Sequence, residues 1–132
     1  MIVAGIGCRS GCDAAEIVTL VRDAVARSGI ANCRFTALAA PAFKAREPGP
    51  REAADRMNLP LLLISDEAMK AAEPGCVTRS DKALDATGFA SVAEAAALAA
   101  AGADSRLVLP RIASAMATCA LAEKRRTSEA SG

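Results

Sequence analysis

Apolar and polar positions change period several times along the chain, and each change marks a predicted element. Residues 1–6 form a short apolar run, the pattern of a buried strand, which the GCRSG that follows interrupts. From Asp13 the spacing turns helical. Ile17, Leu20, Val21, Ala24 and Val25 recur at i, i+3, i+4, i+7 and i+8, one face of a helix that Gly29 ends. Asp13 with Glu16 three residues later has the form of a capping box, which puts the helix start there. Strand, glycine loop and helix in this order open a layered α/β domain.

Residues 33–39 predict a second strand, ended by Pro41, and FKAREPG (43–49) is loop chemistry leading to a short helix at 51–57. LPLLLIS (59–65) is an unbroken apolar run that suits a strand buried on both faces of a parallel sheet. Ser65 then caps a helix to about residue 72, stopped by Glu73-Pro74-Gly75. Residues 76–90 have no period and predict mostly loop. Ser91 and Glu94 form a second capping box for a helix over 91–101, ended by Gly102. Segments 106–109 and 114–121 predict a hairpin-like pair at a sheet edge, where Pro110 is tolerated. The expected fold is α/β, a three-layer α/β/α domain with a mixed, mostly parallel sheet of about five strands. It spans 1–122, and 123–132 (EKRRTSEASG) predicts a disordered polar tail.

Composition sharpens this picture in four places. Alanine is abundant and aromatics are scarce, so the core must be Ile, Leu and Val on closely packed elements. A net charge of +1, with neither Trp nor Tyr, lacks the basic, base-stacking surface of a nucleic-acid binder. No stretch approaches the roughly 20 apolar residues of a membrane span, and the opening run is too short for a signal peptide, so a cytoplasmic location is expected. Five cysteines at unpaired spacings and no histidine predict reduced thiols, no metal site, no cofactor and no His-based catalytic triad.

Candidate chemistry falls on the loops that leave strands at their carboxyl ends: 7–12, 40–49 and 65–66. In the first, Gly5, Gly7 and Gly11 permit close backbone approach, and free N–H groups at a helix start favour an anion. Arg9, with Ser10 beside it, adds a fork-shaped cation suited to carboxylates. GIGCRSG is neither GxGxxG nor a Walker A loop, so a tight turn and an anion site both remain open. Cys8 beside Arg9 at a helix start predicts a lowered thiol pKa, although no base accompanies it. Lys44 and Glu47, three apart, either orient a polar substrate or form an exposed ion pair. Ser91 and Glu94 are already explained as a cap.

Three blocks together resemble the CobE and CbiG C-terminal domain family of cobalamin (vitamin B12) biosynthesis. They are GIGCRSGCDAAEI (5–17), LAAPAFKAREPG (38–49) continuing to NLPLLLIS (58–65), and TGFASVAEAAALAAAG (87–102). The resemblance, closest to the stand-alone CobE type, implies a three-layer α/β/α domain and a role in building the corrin ring. It places Gly5, Gly7, Cys8 and Arg9, then Lys44 and Glu47, then Ser91 and Glu94 on the family's motifs. After Arg9 the family often has a basic or hydroxyl residue, here Ser10; the chain departs from the family pattern at Cys12, where Thr or Ser is usual, and at Arg111, where a lysine is usual. CbiG is longer and hydrolyses a lactone on a cobalt-containing ring. This chain matches only its C-terminal part, so the resemblance implies the pathway rather than that hydrolysis.

The leading expectation is binding of a corrin or precorrin intermediate, as a carrier or accessory factor acting with the pathway's methyltransferases. Arg9, Lys44, Arg46 and the loop N–H groups would face the ring's acetate and propionate groups. An alternative is an enzyme at the ring periphery, with Glu47 (or Glu94) as base and Lys44 stabilising the oxyanion. A third is a phosphate- or nucleotide-binding module using the first loop.

Overall fold

The computed structural model describes residues 2–29, 35–81, 84 and 87–124. Among them five strands form one mixed sheet: β1 (Ile2–Cys8), β2 (Phe35–Pro41), β3 (Leu61–Ile64), β4 (Ser105–Ala113) and β5 (Ala117–Lys124). Their order is β3-β2-β1-β5-β4; β1, β2 and β3 are parallel, and β5 runs antiparallel to both β1 and β4. The main helices are α1 (Ala14–Ser28), α2 (Pro48–Arg56), α3 (Asp66–Ala72) and α4 (Val92–Ala101).

Side-chain alternation along β1 sorts these helices into two layers. Ile2, Ala4 and Ile6 pack with Ile17, Leu20 and Val21 of α1 and Ala53 and Ala54 of α2. Val3, on the opposite face, joins Met69 of α3 and the alanines of α4. The three-layer α/β/α expectation therefore holds. The alanine-rich composition has a structural reason as well. A Cβ added at Gly5 would overlap Ala93 O and lie 2.5 Å from Ala97 N and 2.9 Å from Ala97 Cβ. Glycine on the strand and alanine on the helix let α4 lie against β1 at backbone distance, so the close approach that Gly5 permits is to a helix and not to a ligand.

Several local expectations change. LPLLLIS is an edge strand with Leu63 40% exposed, not a strand buried on both faces. β5 lies inside the sheet, between β1 and β4, so of the hairpin pair only β4 is at an edge. Part of 76–90 is helical: Leu84 N bonds Ser80 O at 2.9 Å and Gly88 N bonds Leu84 O at 2.8 Å. β5 continues to Lys124, so the first two residues of the expected tail are strand; the rest of the tail, and Cys33 at the expected start of β2, lie outside the described residues. Asp13 is the N-cap of α1 but makes no side-chain cap bond, and the Glu16 side chain, its expected reciprocal partner, points to the β4–β5 turn.

Candidate functional site

Parallel β1 and β2 end at the same edge of the sheet, and antiparallel β5 begins there. The segments leaving β1 and β2, the β4–β5 turn and the start of α4 therefore converge. Between them lies an open cavity of about 400 Å³. Gly7, Cys8 and Arg9 come from the end of β1, Phe43 and Lys44 from the single 3-10 turn after β2, Ser80 and Thr87 from the segment before α4, and Val92 from the first turn of α4. Arg111 and residues 113–118 of the hairpin complete the wall. Arg9, Lys44 and Arg111 give it three cationic side chains, and no described acidic side chain lines it. The N-terminal end of a helix adds partial positive charge at the same place.

The hairpin wall is fixed from two sides. Arg9 N donates to Met116 O at 2.9 Å. The Glu16 carboxylate accepts from Met116 N at 2.7 Å and from the Ser114 hydroxyl. The bond from Ser114, then that from Met116, holds the Glu16 carboxyl below its usual value against a smaller opposing effect of desolvation. Helix α1 is thus latched to the turn that forms one side of the cavity.

The glycine loop is not an open anion cradle. Gly11, at φ +83°, donates its N–H to Glu47 Oε1 at 2.6 Å, and Cys12 N donates to Arg9 O at 3.1 Å. Glu47, the N-cap residue of α2 by position, thereby supplies the anion internally and joins the second loop to the first. This removes the exposed Lys44–Glu47 ion pair as an explanation. The ion pairs among the described residues are Arg27–Asp23 and Arg106–Glu123. The expected low pKa of Cys8 is also corrected. Burial at the strand end pushes the thiol up; the nearby Lys44 charge offsets only part of this, and Glu47 adds to it.

Glu94 is the largest departure from the sequence reading. Ser91 caps α4, accepting from Glu94 N at 3.4 Å, but the glutamate does not return the bond of a capping box. Its side chain is 0% exposed, and its carboxylate accepts four hydrogen bonds from elsewhere in the chain. Val77 N and Thr78 N donate to Oε1 at 2.8 and 2.9 Å, and Thr78 Oγ1 and Arg111 N donate to Oε2 at 2.6 and 2.9 Å. Burial pushes this carboxyl up, but the combined bonds from Thr78, Arg111 and Val77 outweigh it, so the net shift is downward. A carboxylate saturated in this way is a poor proton acceptor and does not line the cavity. Its work is positional. It ties residues 77–78 and Arg111 to α4 at the point where β4 pairing is irregular, between Leu109 and Ile112.

Of the residues singled out from sequence, Gly7, Cys8, Arg9 and Lys44 meet in the cavity. Gly5, Ser10, Arg46, Glu47, Ser91 and Glu94 do not line it; Ser10 and Arg46 face solvent. Sequence reasoning missed Phe43 and Thr118 and treated Arg111 only as a departure from a pattern. Phe43 carried a signal, being one of three aromatic residues in the chain and sitting in a strand-end loop. A larger hollow of about 630 Å³, at the opposite end of the sheet near Phe35 and Met57, has Arg22 as its one charged residue among those described and gathers no comparable chemistry.

Comparison with known proteins agrees with this architecture. Residues 2–122 match the family model for the cobalamin synthesis G C-terminus. The chain is 32% identical to protein CobE from Sinorhizobium sp over 121 residues, covering 92% of this chain and 79% of that protein. It superposes on the crystal structure of CobE, a protein of the cobalamin biosynthetic pathway, with a TM-score of 0.85 at 35% identity, covering 92% of this chain and 89% of that one. Against the cobalamin biosynthesis protein chiG from Agrobacterium tumefaciens the TM-score is 0.75 at 41% identity, covering 94% and 98% of the two chains. The strand order, the paired helix layers and this match over nearly the whole described chain make it a member of the cobalamin synthesis G C-terminal family, with similarity to CobE over 92% of its length.

Proposed function

We propose that this cobalamin-biosynthesis protein binds an anionic corrin or precorrin intermediate at the cavity, as a cytoplasmic carrier or accessory factor that passes it between the pathway's methyltransferases. The observation that carries the reading is the meeting of Arg9, Lys44 and Arg111 around one cavity with no described acid in its wall. Such an arrangement complements a ligand bordered by carboxylates, and two of the three cations are guanidinium forks. The cavity is small for a whole macrocycle, so one edge of the ring enters with its acetate and propionate groups and the rest stays outside.

A carrier is favoured over a ring-periphery enzyme because both candidate bases are engaged structurally, Glu47 on Gly11 N and Glu94 on four donors. Titration of the purified protein with metal-free corrin and precorrin intermediates, followed by visible spectrum and then by mass, tests this. Tight binding with unchanged ligand mass is expected. Arg9→Ala or Lys44→Ala should weaken it roughly tenfold or more, the scale of one lost charge-assisted hydrogen bond. A mass change that disappears in Glu47→Gln would establish the enzyme instead, and absence of binding would remove the reading.

A further inference from the structure

The chain has three aromatic residues, all phenylalanine, and two of them stack at this cavity. Phe43 and Phe89 lie with ring centroids 6.4 Å apart and planes 10° from parallel. Phe89 is buried, whereas Phe43 is 45% exposed and lines the cavity beside Lys44. Phe43 is therefore flanked by a nearly parallel ring anchored in the core, while much of its own surface is left to water. A large apolar side chain exposed to this extent loses the hydration benefit of burial, and the 3-10 turn Ala42–Lys44 fixes it next to a cation.

We infer that Phe43 is a specificity-determining residue for the proposed ligand: it stacks on the conjugated face of the macrocycle while Arg9, Lys44 and Arg111 hold the peripheral carboxylates. This rests on the corrin-binding reading and adds to it. Three cations alone accept any polycarboxylate of suitable span, whereas a fixed aromatic face rewards only a ligand with a flat π system. Phe89 pre-organises the platform, so little side-chain freedom remains to be lost on binding.

The test compares two probes, a metal-free corrin polycarboxylate and the saturated butane-1,2,3,4-tetracarboxylate, on three proteins. Phe43→Leu keeps apolar bulk at an exposed position and removes the π face. It should weaken the corrin roughly tenfold, the scale of one aromatic stack, and leave the tetracarboxylate unchanged. Phe43→Trp should keep corrin affinity, and its indole, unique in a chain without Trp, should be quenched as the ring arrives. Equal corrin affinity in Phe43→Leu and the unmodified protein, or an unquenched indole at saturation, overturns the assignment of Phe43 while leaving corrin binding intact. Failure of the unmodified protein to bind the corrin overturns both.

Discussion

Glu94→Gln is the most informative single change, because it keeps shape and volume while altering only the chemistry of one fully buried group. The carboxylate receives four donors and presents acceptors to all of them. An amide offers one oxygen and one NH2. If the oxygen keeps Val77 N and Thr78 N, the NH2 can donate to the Thr78 hydroxyl, which then acts as acceptor, but it meets Arg111 N–H donor to donor. If it flips, two backbone donors are opposed instead. The better orientation leaves one buried N–H unmatched, a loss of about 1–3 kcal/mol. Glu94→Ala leaves all four donors without their acceptor, and the cost rises above that of the glutamine variant.

The pH dependence separates this mechanism from simple mispacking. The folded pKa of Glu94 lies below its ordinary value, so the unfolded chain binds the proton more readily. The stability contributed by the carboxylate is complete above the ordinary value of about 4.5 and is lost as pH falls through the lower folded value. The gap between wild type and Glu94→Gln, measured by urea denaturation, should be constant near neutrality and shrink on acidification below that point. Glu16 also titrates below its ordinary value, but it is present in both proteins and cancels in the difference. A Glu94→Gln protein as stable as wild type at pH 7, or a gap independent of pH, would refute the reasoning.

Two further outcomes follow from the packing and the latch. Gly5→Ala forces a methyl group into the Ala93 carbonyl and should cost at least the upper part of the usual 1–3 kcal/mol range of overpacking, roughly 3 kcal/mol, seen as a lower melting temperature; an unchanged melting temperature would contradict the close strand–helix approach. Glu16→Gln should loosen the β4–β5 turn, with faster hydrogen exchange at the Met116 amide. In the unmodified protein the same amide should lose protection only as pH falls below the ordinary carboxylate range, since Glu16 titrates low.

The elements were legible wherever local periodicity decides structure. Ile17 to Val25 mark α1 because a helix buries one face, and Ser65 and Ser91 mark helix starts because their hydroxyls accept from Ala68 N and Glu94 N. Legibility failed where one pattern serves two ends. Glu94 three residues after Ser91 has the spacing of a capping box, yet its partners are Val77, Thr78 and Arg111, distant in sequence and brought near only by the fold. Glu47 three residues after Lys44 looks like a local pair, but the carboxylate reaches Gly11 instead. Gly5 has the form of a loop glycine and answers to the alanines of α4. LPLLLIS carries no alternation to show which face is covered, so its edge position could not be read from it. For the site, strand-end loops pointed to Arg9 and Lys44, which line the cavity, whereas the arrival of Arg111 depended on which strand the hairpin adjoined.

The placement of β5 has a consequence for how the molecule comes into being. Ile2 pairs with Glu123 and Cys8 with Ala117, so the first described strand finds its antiparallel neighbour only near the far end of the described chain. During synthesis β1 leaves the ribosome long before β5 exists. In the interval, one side of β1 offers an unpaired edge that other nascent strands could occupy. Pairing across so large a separation also makes closure of the sheet slow relative to helix formation. The cationic cavity, walled by the same hairpin, is therefore completed last, and a stalled or shortened chain lacks that wall.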